Sequence, residues 1–423
     1  MTNLSSAQRW ALFTMFAIAG ILNLVDRQLI SVLKPTIAGE LGWTDNDYGT
    51  LAAWFQGSMA VALLATGWLA DRLGARWANA VGVFTWSIAA FFHGLAHSLT
   101  QFILCRVALG ATEAMATPAG IKMMAAIFPP QMRTVGFGIA NAIGSVSGII
   151  APILIPLIAA PIGWRGAFMV FGALGIVWAF VWIWMTRGID FADSKSQAQA
   201  SEAKDVDPAE RAPSLLRQRS TWAIAGAKTL SDLTWWLMLF WMPDLLHRQF
   251  GLEGVTLGLA LGVAYAGAAV GAIIGGVVPS WAMARGASLN RTRRMSLFVS
   301  ALIALVLPFV LLVDNYWAAA MILGLVLAAH QGFSTNLFAL ITDVAPANRI
   351  GQLTGLAAFS GNMGGAVMVK VAGMVLVAGL GYGPILIFCA STYLLATGWI
   401  QLMLPRLENR TGEHGAAPVR LTH

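Results

Sequence analysis

Apolar runs of about twenty residues, broken by short polar turns, recur from one end of the chain to the other. A helix of that length spans the roughly 30 Å hydrocarbon core of a bilayer. The runs fall near residues 10–33, 48–70, 77–95, 101–128, 134–159, 164–186, 221–245, 255–283, 295–313, 316–342, 350–378 and 383–404, with the pair near 295–342 least cleanly separated. They are continuous rather than alternating, which argues against a membrane β-barrel. The pattern therefore predicts an all-α membrane protein with twelve transmembrane helices. The longest polar segment, about 187–220, has few bulky apolar residues and divides the runs six and six. The expected organisation is an N-terminal six-helix half (1–186), a cytoplasmic linker (187–220), a C-terminal six-helix half (221–405) and a cytoplasmic tail (406–423). One echo supports related halves: Pro130-Gln-Met-Arg133 follows the fourth run, and Pro346-Ala-Asn-Arg349 follows the tenth. Repeated halves of this kind place a binding site near the membrane midplane.

Composition agrees with the pattern. Of 423 residues, 58% are hydrophobic and 11% charged, and the mean hydropathy is +0.71. These values lie far outside a soluble domain. The net charge of +7 could suggest nucleic acid, but the basic residues lie between the apolar runs, where they report topology. With the N-terminus in the cytoplasm, eighteen of the 26 Lys and Arg fall on cytoplasmic segments and only Lys34, Arg165 and Arg248 on the opposite side. Both termini are therefore expected inside. Cys105 and Cys389 each lie within an apolar run, so no disulfide framework, metal site or cofactor is expected. The first run is too long for a signal-peptide core, and no cleaved leader is expected.

The chemistry lies in the exceptions to apolarity. Asp26 and Arg27 sit side by side in the first run, with Asn23 on the same face. Arg106 and Glu113 share a face of the fourth run, seven residues apart. Lys228 and Asp232 are spaced i, i+4 in the seventh, just before Trp235 and Trp236. Charge at membrane depth is costly and marks either a functional site or a structural ion pair. Both readings stay open for Lys228–Asp232, with Arg106 and Asp232 expected in structural or gating roles. Lys122 and Lys370 lie nearer run ends and are expected to snorkel to the interface. Arg offers a planar fork that matches a carboxylate. Desolvation disfavours an ionised carboxylate, so acids at depth can bind and release protons near neutral pH. Arg27 and Lys228 as cations, with Asp26 and Glu113 as proton carriers, describe an organic anion moved together with protons. Gln56, Asn141, His330, Gln331, Ser334, Asn336 and Asn362, together with Trp235, would suit a hydroxyl-rich ligand, although small polar residues also serve as helix glue. His330 is a possible third titratable group or a hydrogen-bonded structural histidine.

The segment Gly67-Trp-Leu-Ala-Asp71-Arg72-Leu-Gly74-Ala-Arg76 lies between the second and third runs. Its spacing resembles the signature loop of the major facilitator superfamily. Asn23-Leu-Val-Asp26-Arg27, Gly110-Ala-Thr-Glu113, Ala227-Lys228 to Trp236 and Ala329-His330-Gln331 to Asn336 resemble that superfamily's anion:cation symporters, in particular bacterial hexuronate and aldonate transporters. The resemblance covers nearly the whole chain apart from the linker and the tail. It implies the major facilitator fold and proton-coupled import by alternating access. Arg27 would bind the substrate carboxylate, and Asp26 and Glu113 would carry protons. Relatives often have Tyr where this chain has Leu24 and Met59. The expectation is a multi-pass bacterial inner-membrane symporter, monomeric, that imports a sugar-acid anion such as galacturonate or glucuronate. The alternatives are an aldonate transporter or a drug/H⁺ antiporter. No nucleophile elbow, phosphate loop or metal cluster suggests an enzyme.

Overall fold

The computed structural model describes residues 4–189, 191, 215–345 and 349–405, and several side chains between 130 and 142 lie outside the described set. Most of the expected linker, the tail from 406 onward and part of the Pro346–Arg349 echo fall outside it. Among the described residues every regular element is helical: α1 (Ser6–Val32), α2 (Lys34–Leu41), α3 (Asp45–His93), α4 (Leu99–Glu113), α5 (Ala116–Ile127), α6 (Pro130–Met185), α7 (Arg219–Phe250), α8 (Gly254–Ala284), α9 (Leu289–Ala304), α10 (Tyr316–Val344), α11 (Ile350–Val377) and α12 (Gly383–Met403). Short 3₁₀ turns occupy Leu215–Arg217 and Leu307–Leu312.

Local sequence explains where helices begin. Ser5 with Gln8, Thr44 with Asp47 and Ser98 with Gln101 form capping boxes that satisfy exposed N–H groups at the starts of α1, α3 and α4. It also explains where they bend. At 1.5 Å per residue a straight 49-residue α3 would be about 74 Å long, more than twice the apolar thickness of a bilayer. It is broken at Gly74 (φ 73°, ψ 170°), and the 56-residue α6 is broken at Gly163 (φ 72°, ψ 169°). Both residues adopt a positive φ that side-chain-bearing residues reach only with strain. Gly74 lies inside the signature loop, so the turn read there from sequence is a single-residue break.

Among the described residues, eight helical segments are long and apolar enough to cross a membrane, and the two broken helices are among them. The protein is a multi-pass membrane protein. The expected fourth run is split between α4 and α5 at Ala114–Met115. The expected seventh run is α7, 32 residues long, whose internal charges lower its hydropathy. The poorly separated pair near 295–342 resolves into α9, the 3₁₀ turn and α10, parted by Val313–Asn315.

Before residue 190, α3 packs on α4, α5 and α6, and α6 packs on α1. After residue 214, α7 packs on α11 and α12, and α8 on α10. The main contacts between the N-terminal and C-terminal stretches are α3 with α11, α6 with α8 and α1 with α7, with a smaller one between α2 and α7.

Candidate functional site

The acids and arginines of α1 and α4 form one buried pocket. Arg27 Nε donates to Glu113 Oε2 at 2.7 Å. The Arg27 side chain is 19% exposed and that of Glu113 is 0% exposed, so the cation keeps an open face and the acid lies behind it. Asp26 and Arg106 are buried, and Asp26 lies within electrostatic reach of Glu113, Arg106 and Arg27. Tight packing of α4 on α3 brings these groups together. Gly110 rests against the Phe55 carbonyl and Ser58 Oγ, where a Cβ would collide. The Phe55 ring then lies 5.9 Å from the Arg27 guanidinium and 5.8 Å from that of Arg106, within cation–π range.

Much of this pocket lacks partners. Asp26 Oδ1, Glu113 Oε1, all three guanidinium nitrogens of Arg106, both amide atoms of Gln56 and Asn23 Nδ2 are buried without a hydrogen bond among the described residues. Each unsatisfied buried polar group costs about 1–3 kcal/mol. A cluster of them marks a place where water, a proton or a ligand would complete the bonding.

The α7 side is different. Lys228 Nζ pairs with Asp232 Oδ1 at 2.7 Å, and the side chains are 11% and 6% exposed. Gly361 of α11 lies so close that a Cβ would strike Asp232 Oδ2. His330 Nδ1 is 2.9 Å from the Tyr393 hydroxyl, and its ring stacks on Trp235 at 4.9 Å. Aromatic rings link the two sides: Phe55 meets Phe240 at 6.1 Å, and Phe240 meets Trp236 at 6.4 Å.

The other expected residues separate. Ser334 and Asn362 are buried, and Gln331 is partly exposed. Asn362 Nδ2 donates to the Ala358 carbonyl, and its Oδ1 is unpartnered. Asn336 is tied into helix packing, since its Nδ2 donates to the carbonyls of Gly275 and Gly332. The Asn141 side chain lies outside the described set. In the signature loop, Asp71 pairs with Lys122 at 2.7 Å, Arg72 stacks over Trp68, and Arg76 bonds Thr186 Oγ1 and the Ile183 carbonyl. Lys122 and Lys370, expected near run ends, each have a partner. Lys122 holds Asp71, and Lys370 Nζ donates to Asn46 Oδ1 and Thr50 Oγ1, each at 2.6 Å. An acceptor within reach outweighs the reward of extending to water.

One cluster escaped the sequence reading. Lys34, assigned to a loop, is 3% exposed and pairs with Asp244 (2.6 Å) and Asp45 (2.8 Å). Arg248 also bonds both acids, and the Tyr382 hydroxyl donates to Asp244. Lys34 Nζ lies over the rings of Tyr48 (4.9 Å) and Trp241 (4.4 Å). Tyr48 donates to the Phe240 carbonyl at 2.7 Å. Among the described residues, the hydrogen bonds joining the two stretches all involve residues 34–50. That end of the bundle is sealed. The only signal in the sequence was opposite charge at distant run ends, which carries no pairing information.

Comparison with known proteins fits this arrangement. Residues 16–369 match the family described as Major Facilitator Superfamily, and the chain belongs to that family. It is a transporter rather than an enzyme. Among curated relatives, the chain is 28% identical over 373 residues to the "Probable L-galactonate transporter" of Escherichia coli strain K12, covering 85% of this chain and 81% of that protein. It is 25% identical over 391 residues to the "Hexuronate transporter" of the same strain, covering 89% of each. It is 26% identical over 409 residues to the "D-galactonate transporter" of Escherichia coli O6:H1, covering 92% and 94%. Among solved structures, a bacterial homologue of the human lysosomal transporter Spinster, in an inward-facing and occupied conformation, superposes with a TM-score of 0.76. It shares 18% identity and covers 95% of this chain and 97% of that one. At that identity the likeness establishes the fold.

Proposed function

We propose that this protein is a proton-coupled symporter that imports a sugar-acid anion by alternating access. The observation that carries the reading is the Arg27–Glu113 pair beside Asp26 and Arg106, in a pocket with orphaned polar groups. A substrate carboxylate that takes the Arg27 fork displaces Glu113 from its cation. An ionised acid left alone in a dry site is strongly disfavoured, so Glu113 takes up a proton. Anion and proton then bind together, and the net charge of the pocket is unchanged. Asp26 is positioned to exchange protons beside Arg106. Gln56 and the residues around Trp235 and Lys228 would receive the hydroxyl-bearing part of the ligand.

Twelve crossings in two six-helix halves complete the reading. The breaks at Gly74 and Gly163 divide α3 and α6 into two spans each. The α4–α5 pair and α7 supply two more, and the pairing of α3 with α11 and of α6 with α8 suits two related halves. The bias of basic residues puts both termini in the cytoplasm of a bacterium, with the sealed end at residues 34–50 facing outward. The described form would then be open to the cytoplasm. The protein would work as a monomer in the inner membrane.

Hexuronates such as galacturonate and glucuronate are the first candidates, and the two galactonate-named relatives favour aldonates as the second. A drug/H⁺ antiporter would present acids and aromatics to a cation, which Arg27 and Lys228 oppose. Uptake of labelled galacturonate, glucuronate and galactonate into proteoliposomes, with and without an inward proton gradient, tests the proposal. Gradient-stimulated uptake of at least one is expected. Absence of uptake for every sugar acid would end it.

A further inference from the structure

A groove of about 470 Å³ opens between α8, α9 and α10, lined by none of the charged residues of the Arg27 and Lys228 pockets. Its floor is the contact of α8 with α10. Gly271 lies against the Ala328 backbone and Gly275 against Gly332, too close for any Cβ. Its walls are apolar. Ile274, Val278, Met295 and Val299 line it and are each 46–54% exposed, so in a bilayer they face acyl chains.

Charge gathers at one end of this groove. Arg291 and Thr292 line it there, in the first turn of α9, where the helix dipole favours an anion. Thr292 is 5% exposed, and its Oγ1 has no partner among the described residues. Nearby, Arg285 stacks over Trp281, Arg293 is neutralised by Asp343, and Arg294 bonds the Leu404 and Pro405 carbonyls. Neither Arg291 nor Arg285 has a carboxylate partner among the described residues. From Arg291 to Ile303, the far lining residue of α9, the helix rises about 18 Å, close to one leaflet's share of the roughly 30 Å apolar core.

We infer that the groove binds one phospholipid with an anionic headgroup. One acyl chain lies along the floor of small residues between α8 and α10. The phosphodiester accepts hydrogen bonds from the Arg291 guanidinium and the Thr292 hydroxyl at the α9 N-terminus. A zwitterionic lipid fits the apolar channel equally well but gains less from the excess of arginines, so selectivity for net negative charge is part of the inference. It does not depend on which solute the transporter carries.

Full-length protein, stripped of lipid in a neutral detergent, is mixed with phosphatidylglycerol or with phosphatidylethanolamine, and adducts are counted by native mass spectrometry. Phosphatidylglycerol is expected to be retained preferentially. Val299→Trp fills the channel and should remove the adduct. Arg291→Ala should lower retention about tenfold, the scale of one charge-assisted hydrogen bond. Arg291 is exposed, so its variant keeps the test decisive if Val299→Trp does not give a monodisperse protein. Equal retention of the two lipids, or phosphatidylglycerol retention unaltered by Arg291→Ala, overturns the inference.

Discussion

The protein holds two buried charge clusters, one on α1 and α4 and one on α7, and they are satisfied to different degrees. On the α1–α4 side, two acids and two arginines share one pocket, with a single hydrogen-bonded ion pair between them. Arg106 and one oxygen each of Asp26 and Glu113 are left without bonds. On the α7 side, Lys228 and Asp232 are joined by a hydrogen bond and His330 is held by Tyr393 and Trp235. Under the proposed function the first side would exchange partners, and the second, where Lys228 and Asp232 hold each other although Trp236 Nε1 and Asn362 Oδ1 are left without bonds, would change less. A fully satisfied network rigidifies its surroundings, whereas a partly satisfied one is where a ligand gains most.

The largest effect expected from breaking that contrast is at Arg27. Arg27→Ala removes the proposed carboxylate anchor and leaves Glu113 without its cation, so sugar-acid affinity should fall about a hundredfold or more by calorimetry, in line with a cost of about 2–5 kcal/mol for truncating a buried charge pair. Unchanged affinity would remove Arg27 from the site. Next comes Glu113→Gln, which mimics the protonated acid. Binding and counterflow exchange should persist, while accumulation driven by a pH gradient is lost. A variant that still accumulates substrate against its gradient would move the coupling elsewhere.

On the α7 side the contrast predicts recovery rather than loss. Lys228→Ala alone strands Asp232 and should destabilise the protein by about 2–5 kcal/mol. Adding Asp232→Ala should regain much of that in the double variant, read as unfolding temperature. If the double variant is no more stable than the single, Asp232 is not held by Lys228 alone. The smallest effect is expected for His330→Gln. It loses one neutral hydrogen bond of about 1 kcal/mol, and the pH profile of uptake should stay in place. A shifted profile would make the α7 side a second titrating centre and erase the contrast.

The sealed end shows what residue patterns could not supply. Arg106 and Glu113 were legible as face-sharing because helical periodicity fixes their relation within one element. Lys228 and Asp232 were legible for the same reason. Lys34 and Asp244 are 210 positions apart and looked like ordinary loop and span-end charges, yet they pair at 2.6 Å. Lys370, read only as lying near a run end, bridges to the first turns of α3. Asn336, grouped with ligand-binding amides, spends both donors on carbonyls of α8 and α10. In each case the sequence left open which partner a polar group finds, since local sequence fixes reach and direction but not what lies across the gap.

By itself the sequence determined that the chain is helical and membrane-embedded, where most spans lie, and that charge is concentrated in a few of them. Those follow from hydrophobic length, from the cost of unpaired backbone in lipid and from 3.6-residue periodicity, all local properties. Tertiary structure decided which charges share a pocket and which are left unsatisfied. It also decided that the two stretches are joined at one end, and that α8, α9 and α10 leave a lipid-sized groove. Those depend on how closely whole helices approach, which is set by distant small residues such as Gly110 against Phe55 and Gly271 against Ala328. No window along the chain contains both members of such a contact.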